Sequence, residues 1–207
     1  MKLKKDSIAY VVIFTFVVSA LFVTLLALAN EGTKPLVAAN REFAAQSAVL
    51  DALGIPYANK DEALRLYKES VRPIEGSSPR AYRAAIDGRE YLAVEQTGAG
   101  LWGAIVIVMA TDEKVERIRG LQIIAQNETP GLGGRIEERW FLDQFRGERA
   151  GGGVRIAVGA ESKGTGDADP DNGLIDGVTG ASRTSVAFET IVNDALARAR
   201  AVAGGAK

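Results

Sequence analysis

The sequence contains no cysteine and no histidine. Without cysteine there is no disulfide, no thiol nucleophile, no cysteine-held zinc or iron–sulfur cluster, and no lipid-bearing cysteine. Without histidine the usual general base and the usual imidazole metal ligand are missing. Chemistry on this chain falls to carboxylates, lysines, hydroxyls or a bound cofactor. A surplus of either charge is also lacking, since 25 basic residues stand against 26 acidic ones, a net of −1. That balance gives no support to a nucleic-acid partner. No internal repeat and no low-complexity tract interrupts the 207 residues, which suit one folded domain plus an appendage.

What is present begins with a long hydrophobic run. Residues 8–29 carry no charge and would span roughly 33 Å as a helix, the thickness of a bilayer's hydrocarbon core. Lys2, Lys4 and Lys5 precede the run, and positive flanks stay in the cytoplasm. The expected organisation is a cytoplasmic N-terminus over 1–7, a single transmembrane anchor over 8–29, a stalk and helical segment over 30–80, and an extracytoplasmic domain over 81–207. A cleaved signal peptide is the rival, because Ala27, Leu28 and Ala29 resemble an A-x-A site. The apolar run is longer than the roughly 7–15 residues of a signal peptide's core, which favours a retained anchor.

Residues 30–35 read as a linker. Phe43, Ala44, Val49, Leu50 and Leu53 recur at helical spacing over 38–53, with Gly54 placed as a stop. Residues 61–71 read as a shorter helix. Strands are expected over 81–86 and 90–96 around Asp87-Gly88, a strong hairpin signal. A nearly all-apolar strand follows over 104–110, then a turn at 111–113 and a strand over 115–125. A helix over 136–145, a short strand over 154–158, a long glycine- and acid-rich loop over 159–176 and a closing helix from Ser182 or Thr184 to Val202 complete the pattern. Antiparallel hairpins bracketed by helices define an α+β class.

Four segments are candidates for chemistry. The loop Glu128-Thr129-Pro130-Gly131-Leu132-Gly133-Gly134 offers a carboxylate, a hydroxyl and flexible backbone N–H groups, suited to a flat polar ligand with an anionic tail; the plain alternative is a strand-to-helix turn. Trp102 stands among Gly98, Gly100 and Gly103, where its indole could stack on an aromatic cofactor or plug the core. The spacing of those glycines matches a dinucleotide fingerprint formally but opens a strand, so the match is discarded. Asp167, Asp169, Asp171 and Asn172 imitate a calcium loop, yet an EF-hand needs glycine at Asn172 and glutamate at Val178; no metal site is assigned. Last, Asp176, Thr179, Gly180, Ala181, Ser182 and Thr184 crowd hydroxyls and small residues onto a helix start. Unpaired N–H groups there favour a phosphate. The alternative is an ordinary start capped by Thr179, Ser182 or Thr184. Asp176 could bind a divalent ion, orient a hydroxyl, or simply sit in a turn.

The anchor, the Glu-Thr-Pro-Gly-Leu-Gly loop and the Asp176-to-Thr184 stretch together resemble the FMN-binding domain family, in particular the flavin-bearing subunits of the Rnf and sodium-translocating NADH:quinone oxidoreductase complexes. The family's motif is roughly Asp-x-x-Ser/Thr-Gly-Ala-Thr/Ser-x-Thr. The resemblance implies FMN joined through its phosphate to Ser182, which stands where many members carry threonine. It implies a flavin bounded by Glu128, Thr129, Gly131, Leu132, Gly133, Thr179, Gly180, Ala181 and Thr184, with Trp102 as a weaker neighbour. It implies a separate flavin transferase that uses FAD and magnesium and reads Asp176, Gly180, Ala181 and Ser182. It also implies partner subunits in a bacterial inner membrane, electron relay rather than complete catalysis, and ion translocation carried out by those partners. A self-contained membrane-anchored flavin reductase and a non-redox scaffold protein are the alternatives.

Overall fold

The computed structural model describes residues 7–205, so the lysines that bear on orientation lie outside the described residues. The chain divides into two compact units, Met1–Phe43 and Ala44–Lys207. The first unit holds most of helix α1 (Ile8–Leu53). Phe14, Phe16, Phe22 and Leu26 all stand exposed on it. Its most apolar window has a mean hydropathy of 2.8, and among the described residues it is the one helix long and apolar enough to cross a membrane. The linker expected at 30–35 is helical instead, with Pro35 inside α1. The Thr33 hydroxyl bonds to the Ala29 carbonyl at 2.9 Å, and Lys34 pairs with Glu31. Helix on both sides carries through the one missing N–H, because propagation is far easier than a new start.

The second unit opens with the last turns of α1, where Val49, Leu50 and Leu53 are buried. Gly54 takes a left-handed φ of 69°, and the Ile55 N–H reaches back to the Leu50 carbonyl at 2.9 Å, a glycine stop of the expected kind. Helix α2 (Lys60–Ser70) is capped by Asn59, whose side chain accepts from the Glu62 N–H.

Five antiparallel strands follow in spatial order: β1 (Val71–Pro73), β2 (Ala81–Ile86), β3 (Arg89–Ala99), β4 (Ala104–Asp112) and β5 (Ile118–Ala125). Asp87 and Gly88 both have positive φ, 50° and 74°, as a tight two-residue hairpin requires. Strand β5 begins three residues later than its apolar pattern suggests. The Asp112 carboxylate accepts the N–H groups of Glu116 and Arg117 at 2.8 and 2.9 Å, which holds residues 113–117 in a turn.

The helix expected at 136–145 is broken into a 3₁₀ stretch (Gly133–Glu137), one turn of α3 (Arg139–Leu142) and a second 3₁₀ stretch (Asp143–Phe145). The break lets Phe141 and Phe145 both meet Phe188, with ring centroids 5.4 and 5.9 Å away. Strands β6 (Arg155–Ala157) and β7 (Leu174–Asp176) form a separate parallel pair; β7 falls within the stretch expected to be loop. Helix α4 (Ser182–Ala203) closes the unit. It lies so near β3 that a Cβ on Gly98 would come 2.4 Å from Ile191 Cγ1. Phe188, Ile191, Val192 and Leu196 are buried on that contact, each worth about 1.5–3 kcal/mol of apolar transfer. The mixed α+β architecture with one N-terminal apolar helix is the class expected from the sequence.

Candidate functional site

Three loops meet at the start of α4. In the first, the Gly100 N–H bonds to the Gly103 carbonyl at 2.7 Å. This tight turn leaves the Trp102 side chain outside, 71% exposed. In the second, the N–H groups of Leu132 and Gly134 both return to the Thr129 carbonyl, at 3.1 and 3.0 Å, and Gly131 supplies the left-handed φ of 74° that the fold-back needs. Glu128 joins these two loops to the helix. It is only 4% exposed. One carboxylate oxygen accepts the Trp102 N–H at 3.0 Å; the other accepts the Thr184 hydroxyl at 2.6 Å. Space around it is tight: a Cβ on Gly100 would lie 2.5 Å from Glu128 Oε1, and one on Gly133 would lie 2.6 Å from Thr184 Oγ1 and 2.8 Å from Glu128 Oε2. The glycines there make room for a buried carboxylate.

The third loop is the turn into α4. Gly180 has φ 83°, and the residue before the helix is Ala181, with no side-chain cap. Of the hydroxyls expected to cap it, that of Thr184 is turned to Glu128; the Ser185 hydroxyl, for which no cap was expected, accepts the Val178 N–H at 3.1 Å. The first turn of a 22-residue helix therefore presents its N–H groups uncapped beside the half-buried Ser182, a favourable setting for an anion.

Asp176 serves a different purpose. It is 5% exposed and accepts backbone N–H groups from Lys163, Thr165 and Gly166 at 2.7, 2.9 and 3.1 Å. Burial pushes its pKa up, but the Ser162 hydroxyl and these N–H groups outweigh that and hold it below the ordinary carboxylate range. Gln144 braces the same residue from behind, accepting the Asp176 N–H at 2.8 Å and donating to its carbonyl at 3.1 Å. The side chain that could have held an ion or oriented a hydroxyl is used to fasten the loop 159–176.

A cavity of about 290 Å³ lies where the three loops converge. Leu101, Trp102, Glu128, Thr129, Leu132, Gly133, Gly180, Ala181, Ser182, Arg183 and Thr184 line it. Nine of the positions read from the sequence are thus brought together. Gly131 lies instead in a neighbouring depression with Pro130 and Gly134. Thr179 is exposed and packs against Gly164, where a Cβ would come 2.5 Å from its hydroxyl. Asp176 sits behind the turn. Leu101 and Arg183 were not expected, although each adjoins a residue that was. In the acidic loop, Asp167 and Asp169 turn their carboxylates onto the N–H groups of Asp169 and Asp171 at 2.8 and 3.0 Å, and Asp171 pairs with Arg117. A larger cavity of about 550 Å³, bordered by Arg149, Arg155, Asp171 and Asn193, contains none of the residues read as a flavin site.

The apolar rim of Leu101, Trp102 and Leu132, the half-buried Ser182 hydroxyl and the uncapped helix start fit a flat aromatic group with a phosphate tail. Residues 100–197 match the family of FMN-binding domains. The chain is 33% identical over 101 residues to the C subunit of the Na(+)-translocating NADH-quinone reductase of Yersinia pestis, covering 46% of this chain and 36% of that protein. It is 28% identical over 127 residues to the corresponding protein of Chlamydia trachomatis, covering 55% and 40%. The chain therefore spans well under half the length of these curated relatives. The crystal structure of the same reductase's C subunit from Parabacteroides distasonis aligns with a TM-score of 0.63 at 23% identity, over 79% of this chain and 92% of that one. NqrC of Shewanella oneidensis aligns with a TM-score of 0.67 at 18% identity, over 80% and 96%. The resemblance to the FMN-binding domain family read from the residues is borne out in sequence, and the fold is that of these two crystal structures.

Proposed function

We propose that this chain is a membrane-anchored electron-transfer subunit of an ion-translocating oxidoreductase complex of the Nqr or Rnf type, with FMN esterified to Ser182. The observation that carries the reading is the Ser182 hydroxyl on an uncapped first turn, in the wall of the cavity that the Glu128 loop encloses. Attachment needs a nucleophile, an anion site and room for a ring, and these residues supply all three. With FAD as donor and a flavin transferase as catalyst, Ser182 Oγ would give up its proton and displace AMP from the FMN phosphorus as the pyrophosphate link breaks. The N–H groups opening α4 would hold the phosphate, while Leu101, Trp102 and Leu132 would offer the apolar rim and Thr129 a hydroxyl. FMN would supply the redox chemistry, and the protein orientation and electrostatic tuning.

The titratable lining residues are Glu128 and Arg183. Glu128 is engaged on both oxygens, which supports electron relay over a self-contained reductase that would use it as a proton donor. α1 would hold the domain at a bacterial inner membrane, with the N-terminus cytoplasmic and the folded domain outside. A single anchor does not build an ion pathway, so translocation would belong to partner subunits. The test is in-gel flavin fluorescence of denatured protein co-produced with the transferase. Ser182→Ala abolishes the signal and Ser182→Thr retains it. Fluorescence persisting in Ser182→Ala would move attachment to Thr184 or Thr179.

A further inference from the structure

We propose that Glu128 is a charged clasp: its buried carboxylate fixes Trp102 to the start of α4, and its unneutralised negative charge holds the bound flavin at a low reduction potential. The potential half rests on the flavin reading above; the clasp half stands on the geometry alone.

Both groups that reach the carboxylate are donors, the Trp102 N–H at 3.0 Å and the Thr184 hydroxyl at 2.6 Å. The Trp102 backbone N–H can only donate, so one carboxyl oxygen is an acceptor; the Thr184 hydroxyl can donate to the other. Among the described residues no lysine or arginine lies within ion-pair distance of Glu128. Arg183 shares the cavity wall but stands in solvent, where water and salt screen it. Glu128 is 4% exposed, so its field acts across a medium of much lower dielectric. Accepting an electron adds negative charge to the flavin. A fixed negative charge in the wall of the same cavity opposes that step wherever the ring lies within it.

Glu128→Gln separates charge from shape. The amide oxygen accepts from the Trp102 N–H, the amide nitrogen donates to Thr184 Oγ1, and the threonine hydroxyl turns its own hydrogen away. The Trp102 contact is kept while the charge goes. Glu128→Ala removes both. The experiment uses the full chain with and without co-produced transferase, and reads midpoint potential by mediated titration and Trp102 amide exchange by NMR. Glu128→Gln is expected to shift the potential to a more positive value while leaving the Trp102 amide protected. Glu128→Ala is expected to lose that protection in the flavin-free protein as well. The side-chain carboxyl carbon shift of Glu128 in the wild type reads its charge directly, and is available even where a variant fails to fold.

An unchanged or more negative potential in flavin-loaded Glu128→Gln overturns the electrostatic half. Unprotected exchange at Trp102 in the wild type overturns the clasp, and a protonated carboxyl overturns the charge. Wild-type protein without flavin defeats the flavin reading itself, and is distinguished by its own blank gel lane beside an intact amide-exchange result.

Discussion

Two buried carboxylates flank the start of α4, and they are used in opposite ways. Asp176, on the side of the loop 159–176, is surrounded by its own backbone, with three N–H groups bound. Glu128, on the other side, binds one N–H and one hydroxyl and forms part of a cavity wall. Asp176 is saturated and faces inward, so its charge is spent on holding a loop. Glu128 borders open space, so its charge is felt by whatever enters. Position in a motif does not separate these roles; the count of donors around each oxygen does.

The comparison is broken if the two residues respond alike. The largest effect on stability is expected at Asp176→Asn. An amide keeps one acceptor oxygen and turns an NH₂ toward backbone N–H groups, so charge-assisted bonds to the loop are lost. A destabilisation of about 3 kcal/mol is expected from bonds to a charged group, read by urea unfolding, with faster amide exchange at Thr165 and Gly166. The midpoint potential of any flavin-loaded protein should not move. The pH dependence sharpens the same point. Asp176 titrates below the ordinary range when folded, so its contribution is present above the unfolded value of about 3.9 and is lost as pH falls through the folded one. Glu148, 2% exposed, is pushed the other way, mainly by burial. Its contribution is present below the unfolded value of about 4.3 and is lost as pH rises through the folded one. Asp176→Asn should therefore flatten the acid limb of the stability curve and leave the Glu148 limb in place.

The two sides of α4 also differ in how far they could be read from sequence. The Asp87-Gly88 hairpin, the Gly54 stop, the strands around them and the start of α4 at Ser182, one of the two positions read for it, were legible, because each depends on a few adjacent residues. Most residues of the cavity were legible through the two motifs that meet there, Leu101 and Arg183 excepted. Strand β7 was not, since three residues carry no usable period. Pro35 reads as a break because local propensity says so, while helix on both sides overrides it. The long-range bonds were beyond reach. Nothing local pairs Glu128 with Thr184, or tells that Asp176 will be consumed by the backbone of residues 163–166. Those choices are made by packing, and only the glycines at 100 and 133 hint that something bulky and polar comes close.

That hint gives the next effect in size. Gly133→Ala places a methyl 2.6 Å from Thr184 Oγ1 and 2.8 Å from Glu128 Oε2, two atoms already bonded to each other at 2.6 Å. Overpacking of this kind costs about 2 kcal/mol. Unlike Asp176→Asn, it should also lower covalent flavin loading, because the strain falls on the helix turn that bears Ser182. Equal loading in Gly133→Ala and wild type, measured by intact mass at matched transferase levels, would mean that the clasp and the attachment turn are mechanically independent.

The smallest effect is expected at Thr184→Ser. The hydroxyl that Glu128 accepts is kept and a single buried methyl is removed at a position 1% exposed, a loss of about 1 kcal/mol. Because serine can make the same 2.6 Å bond, flavin loading, Trp102 amide protection and potential should all match the wild type. A change in potential here, with the carboxylate untouched, would show that the methyl shapes the cavity more than the Glu128 charge tunes it. The contrast between the two carboxylates would then be one of packing rather than of field.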